Sequence, residues 1–192
     1  WKVLNMLNTK YIIHAQQDNK PGVMRNPGAF GNAWIVSNID WVSTPNEEIA
    51  AIENTDVKTT AIINDEFKNV VGDFAKDAIN RIPTGNIQLT SYKPNELIYK
   101  FNSTKEELVV FSEIWTSKGW TMWIDGEESP LIRADYILRA AVIPAGNHEI
   151  MMRYEPKIWK VGNTIQFVSS LILILGLFAA IFVTYRKSES KQ

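Results

Sequence analysis

FSEIWTSKGWTMWIDGEESP, residues 111–130, carries three of the chain's seven tryptophans, at positions 115, 120 and 123. Within it, GWTMWI (119–124) sets Trp120, Met122 and Ile124 against Thr121 and Trp123. That alternation is the period of a half-buried strand, and it sends Trp120 and Trp123 to opposite faces. Asp125-Gly126 follows at once, a pair that tolerates the positive φ a tight hairpin needs. The stretch is therefore strand, turn and returning strand. Just upstream, ELVVFSEIW (107–115) is nearly continuous in apolar residues, as expected of a central strand covered on both sides.

Working outward, NIQLTSY (86–92), ELIYKF (96–101), YILRAAVI (136–143) and HEIMMRY (148–154) supply further strands. Leu131-Ile132 adds a short one, and Pro144 to Asn147 joins the last two. Strands at roughly 8–12-residue spacing predict an antiparallel, jelly-roll-like β-sandwich over residues 85–156. Residues 1–80 have a different texture, that of a small α/β unit. WKVLNMLN (1–8) suits the end of a helix and TKYIIHA (9–15) a buried strand. Residues 16–32 form a loop marked by Pro21-Gly22 and Asn26-Pro27-Gly28. AWIVSNIDWV (33–42) is a strand bending near Asn38, and VKTTAIIN (57–64) is another. Between them Thr44 caps a helix, with Pro45 at its first position and Glu47 closing a capping box. Ile49 and Ile52 give that helix its apolar face. The fold class is α+β, ending in one transmembrane helix.

That helix is IQFVSSLILILGLFAAIFVTY, residues 165–185, which runs without a charge. At helical rise it covers roughly 32 Å, enough to cross a hydrocarbon core. Trp159 and Tyr185 suit the membrane interface, Arg186-Lys187 act as a stop, and 186–192 form a short tail. Flanking charges balance, with Arg153, Lys157 and Lys160 before the span and Arg186, Lys187 and Lys191 after it. Two topologies stand: an exported domain with a cytoplasmic tail, or a tail-anchored cytosolic protein. A start at Trp1 without a signal peptide fits a piece of a longer protein.

Composition narrows the chemistry. A net charge of −1 offers no basic field for nucleic acid, and the absence of cysteine removes thiolate metal sites and thiol nucleophiles. His14 and His148 fall in different halves without ligand-spaced partners, so no metal site is expected. NPGAFGNA precedes a strand rather than opening a helix, which argues for a turn-rich loop and against a phosphate cradle. No catalytic residue is assigned. The rings of Trp115, Trp120, Trp123 and Tyr136 are candidate glycan contacts, because aromatic faces stack on sugars; core packing is the competing role for each. Glu113 and Asp125 are candidate acceptors for sugar hydroxyls. Glu113 lies in an apolar strand and needs Arg133 or Arg139 as a partner, and Asp125 is first a turn former.

LNTKYII (7–13), NPGAFGNAWIV (26–36), YKPNELIY (92–99), FSEIWTSKGWTMWIDG (111–126) and ADYILRAAVIPAGNHEI (134–150), followed by a single span, resemble the C-terminal end of YfhO-type bacterial membrane proteins, most closely Bacteroidota versions. The resemblance implies a multi-span glycosyltransferase of the GT-C type, using a polyprenyl-phosphate sugar donor on lipid-linked or cell-surface glycans. It implies a soluble domain outside the bacterial cytoplasmic membrane, a cytoplasmic tail, and as partners membrane lipid, the parent's upstream spans and an acceptor glycan. Catalytic and donor-binding positions of that family have no counterpart in this chain. A non-catalytic, membrane-anchored sandwich that binds a glycan or a partner protein is the alternative.

Overall fold

The strand Glu107–Ile114 (β8) organises the computed structural model, which describes residues 1–15, 20–76 and 81–189. Leu108 and Val110 enter one hydrophobic core while Val109 and Phe111 enter a second. An unbroken apolar run is what a strand covered on both faces requires.

Thirteen strands are found among the described residues. Five of them, Asn86–Lys93 (β6), Glu96–Ser103 (β7), Trp120–Ile124 (β9), Glu127–Ser129 (β10) and Gly146–Tyr154 (β13), form an antiparallel sheet ordered β10-β9-β13-β7-β6. Six more, Ala33–Val36 (β3), Asn38–Val42 (β4), Thr60–Asn64 (β5), β8, Ile132–Ala134 (β11) and Leu138–Ile143 (β12), are ordered β3-β8-β12-β11-β5-β4. The β4–β5 pair is parallel and the other pairs in this sheet are antiparallel. Leu97, Tyr99, Phe101, Met122, Ile150 and Met152 of the first sheet pack with Val109, Phe111, Ala141 and Ile143 of the second, as in a sandwich. The opposite face of the six-stranded sheet carries the other core, with Met6, Val57, Val71 and Phe74 among its buried residues. Tyr11–Ala15 (β1) and Pro21–Arg25 (β2) make a separate two-stranded sheet.

Helix Lys2–Met6 (α1) opens the chain, and Pro45–Asn54 (α2) starts where the capping box places it. Thr44 Oγ1 accepts from Glu47 N at 3.3 Å, and Glu47 Oε2 accepts from Thr44 N at 3.2 Å. The buried side chain of α2 is Glu48, not the expected Ile49, which is exposed. Burial of the acid is made tolerable by Arg133 of β11, 2.8 Å away. A four-residue helix, Lys68–Val71 (α3), and short 3-10 turns follow β5.

Three further expectations change. Residues 1–80 and 85–156 do not part at 80–85, because Trp1–Tyr154 is one compact unit and strands from both halves share the six-stranded sheet. Long-range backbone pairing decides this, with Ala33 to Val36 laid beside Phe111 to Leu108. The strand 33–42 breaks at Ser37, and its halves β3 and β4 lie at the two ends of the strand order. The sheet must curl for one residue to link both ends. The loop expected over 16–32 contains β2, while 16–19 lie outside the described residues.

The second unit, Glu155–Gln192, contains helix Lys157–Glu189 (α4). Its segment Val161–Ile181, with mean hydropathy 2.2, is long and apolar enough to cross a membrane. Helix continues through 186–189 of the expected tail, and 190–192 lie outside the described residues.

In the core between the sheets, Tyr99 is fully buried and its ring meets Phe111 edge-on at 5.1 Å. Its hydroxyl has no hydrogen-bond partner, and burial pushes its pKa up. Tyr99→Phe keeps the ring contact and removes the orphan hydroxyl. Stability should rise by about 1 kcal/mol, read from urea unfolding of the chain in detergent micelles. A loss of that size would mean the hydroxyl is satisfied in solution.

Candidate glycan-contact face

Strand alternation gives the five-stranded sheet an inner face against β8 and β12 and an outer face of a different kind. Ile98, Met151 and Trp123 are aligned across β7, β13 and β9, with Glu128 beside Trp123 on β10. Next come Gln88, Lys100 and Glu149, and beyond them Asn86, Asn102 and Asn147. Asn102 donates an amide hydrogen bond to Asn147. On the other side of the apolar row, Glu96 takes Arg153 at 2.6 Å and Lys93 at 2.7 Å. Hydrogen bonds from Lys93 and Arg153 hold its carboxyl below the usual range. The amide rows line a groove of about 320 Å³ with Phe101 and His148. A half-buried aromatic beside amides and paired charges can stack on a sugar ring while bonding its hydroxyls.

The turn at the rim of this face is the one the Asp-Gly pair calls for. Asp125 and Gly126 have φ of 51° and 89°, a type I′ geometry. Asp125 Oδ1 accepts from Glu149 N at 2.8 Å, and Oδ2 lies 2.6 Å from His148 Nδ1. This pair lowers the Asp125 pKa and raises that of His148, so both are favoured in their charged forms. With both carboxylate oxygens engaged, Asp125 shapes the rim more than it offers a free acceptor.

The other rings are elsewhere. Trp120 faces the core, with the Arg139 guanidinium 3.9 Å from its ring centroid and Tyr154 at 5.6 Å. Trp115 meets Phe67 edge-on at 6.1 Å and has Arg133 at 5.7 Å. Trp115 and Trp120 share a cleft of about 160 Å³ with Ser129 and Leu131. Tyr136 borders a different groove with Trp1, Ile49 and Ile52. Glu113 is raised in pKa by burial, which the charge of Arg139, one of its two expected partners, partly offsets. The six expected contact residues are thus divided among several places, and only Trp123 lies in the aligned outer row. Trp159 is exposed on α4; Tyr185, Arg186 and Lys187 belong to the same helix.

Two features had no reading in the sequence. Gln88, Lys100, Asn102, Asn147 and Glu149 are the polar half of the alternation, and only strand register gathers them. Asp135 is the other. It sits at φ 50° with Tyr136 at φ 71°, fully buried in the connection between β11 and β12. Its N–H donates to Ile62 O at 2.8 Å and its Oδ1 accepts from Ile62 N at 2.9 Å, so it extends the pairing with β5. Burial pushes its pKa up to about 7, and Oδ2 has no partner.

The chain thus combines a β-rich unit with a helix long and apolar enough to span a bilayer, in a mixed α/β fold. The family described as "Bacterial membrane protein YfhO" matches residues 59–166, more than half of the chain, and the chain belongs to that family. It is also similar to "Uncharacterized protein YfhO" of Bacillus subtilis (strain 168), 24% identical over 112 residues. That match takes in 58% of this chain and 12% of the relative, so the chain spans only a small part of the curated relative's length. No solved structure matches the chain.

Proposed function

We propose that this chain is the extracytoplasmic C-terminal domain and last span of a multi-span glycosyltransferase in the bacterial cytoplasmic membrane. In this reading the parent uses a polyprenyl-phosphate sugar, and the catalytic groups and donor site belong to its other segments. The domain assists by holding the acceptor, a lipid-linked or cell-surface glycan, and residues 186–192 are on the cytoplasmic side. The observation that carries the acceptor role is the outer face of the five-stranded sheet. There Trp123 lies in the row of Ile98 and Met151, and the next two rows on the same face, Lys100 with Glu149 and Asn102 with Asn147, lead into the groove those four residues line.

The test is an NMR titration of the whole chain in lipid nanodiscs with neutral and N-acetylated hexasaccharides. The Trp123 indole N–H and the Asn102 and Asn147 amides should shift together. Trp123→Ala should weaken binding by about tenfold, the loss expected for one stacked ring. Trp115→Ala should leave binding unchanged, since that ring is on another surface. Shifts confined to Trp115 and Trp120, or none at all, would remove the acceptor role from this face.

A further inference from the structure

The β1–β2 hairpin is turned inside out. Its register pairs Tyr11 with Arg25, Ile13 with Val23 and Ala15 with Pro21, and these six residues share one face. All six are exposed, with Tyr11, Ile13 and Val23 at 62%, 74% and 65%. The opposite face holds the buried Gly22 and the half-buried Ile12, with His14 and Met24 exposed beside them. A sheet face of this kind usually supplies a core, and a two-stranded hairpin alone is marginal in water. The hairpin is nevertheless held at its base. Asn26 N donates to Lys10 O at 2.8 Å, and Asn26 Nδ2 donates to Thr9 O at 2.9 Å and Asn5 Oδ1 at 2.8 Å. The fold thus fixes an apolar face and leaves it uncovered.

The surrounding charges say what would cover it. Lys10, Lys20 and Arg25 border the two strands, and Asp18 is the only acid in the sequence between Lys10 and Arg25. A tyrosine at one end, aliphatic side chains at the centre and basic residues around them match a bilayer interface bearing anionic headgroups. The same chain carries a helix able to span a bilayer, so lipid is within its environment. We infer that the β1–β2 hairpin is a membrane-surface anchor, with Tyr11, Ile13 and Val23 entering the headgroup region and Lys10, Lys20 and Arg25 meeting anionic lipid. This inference does not depend on glycan binding.

The chain has no cysteine, so one can be introduced at a chosen position and spin-labelled. Ile13→Cys and Val23→Cys probe the apolar face, and His14→Cys, on the opposite face of the same hairpin, is the reference. The whole chain is placed in nanodiscs of two parts phosphatidylcholine to one part phosphatidylglycerol. Collision rates of each label with oxygen and with a water-soluble nickel chelate are then compared. At positions 13 and 23 the oxygen-to-nickel ratio should be about threefold higher than at 14, because oxygen concentrates in the acyl region. Omitting phosphatidylglycerol should pull the ratios together. Equal ratios at all three positions, or ratios indifferent to phosphatidylglycerol, overturn the anchor. So does spin–spin broadening between copies in one disc, which would make a second chain the occupant.

Discussion

Asp135→Asn should abolish most of a decline in stability that the unaltered protein shows between about pH 4 and pH 7. The buried carboxyl of Asp135 has its pKa lifted from an ordinary 3.8 to about 7, chiefly by burial, with the charge of Glu48 adding to the rise. Below pH 4 both folded and unfolded chains hold the proton. Above that, the unfolded chain releases it while the folded chain keeps it, so stability falls as pH rises through 7 and then levels. The span corresponds to about 4 kcal/mol, a large share of a typical domain's total. Asparagine tolerates left-handed backbone and can still accept from Ile62 N. Its amide N–H₂ replaces an oxygen without a partner, at a cost of about 1–2 kcal/mol. The variant should therefore be more stable than the unaltered chain by about 2–3 kcal/mol at pH 8 and no more stable at pH 4.5. Urea unfolding in micelles, followed by tryptophan fluorescence from pH 4.5 to 8, decides it. Parallel curves for the two proteins would show that Asp135 ionises freely in the folded state. Glu48 and Glu113, both raised by burial, leave a smaller slope of the same sign in either protein.

What sequence made legible was local. The alternation of 96–101 and 119–124, the unbroken run of 107–114, the Asp125-Gly126 turn and the Thr44 capping box each need only neighbouring residues, and each forms. What it hid depends on partners far along the chain. Ser112 Oγ bonds Met6 O and Gly31 O at 2.7 Å each, tying β8 to segments 106 and 81 residues away, respectively. No pattern around Ser112 announces that. TKYIIHA predicts the strand at β1, but as a buried one, and four of its five residues are exposed; β2 escaped because Pro21-Gly22 signals a loop. Asp135-Tyr136 looked like the entry to a strand, since neither residue favours positive φ as glycine does. The rings failed as a group for a simpler reason. Their spacing fixes a face only within one strand, and Trp115 and Tyr136 lie outside the strands altogether.

Arg133→Met should cost about 3–5 kcal/mol near pH 8, the penalty for stranding a buried charge. The Glu48 side chain has no exposure, and Arg133 Nη2 is 2.8 Å from its Oε2, with Glu66 Oε1 a further 3.7 Å contact. Glu48 Oε1 has no partner, so the arginine is the main compensation the carboxylate has. Burial already raises the Glu48 pKa, and Arg133 opposes that rise by its charge and hydrogen bond. With the arginine gone the pKa climbs further, and the carboxyl can escape the penalty only by holding a proton. The deficit should therefore grow as pH rises and shrink towards pH 4.5. An exposed ion pair would cost less than about 1 kcal/mol and show no such trend. Glu48→Leu combined with Arg133→Met should recover most of the loss, because an apolar pair leaves no charge to desolvate. The consequence reaches past the pair itself. Glu48 belongs to α2 and Arg133 to β11, so this contact fastens the first part of the chain to the second. Arg133 also lies against the Trp115 ring. A single change at Arg133 should accordingly alter Trp115 emission and α2 amide exchange together, and independent responses would mean that the two halves are held by the shared sheet alone.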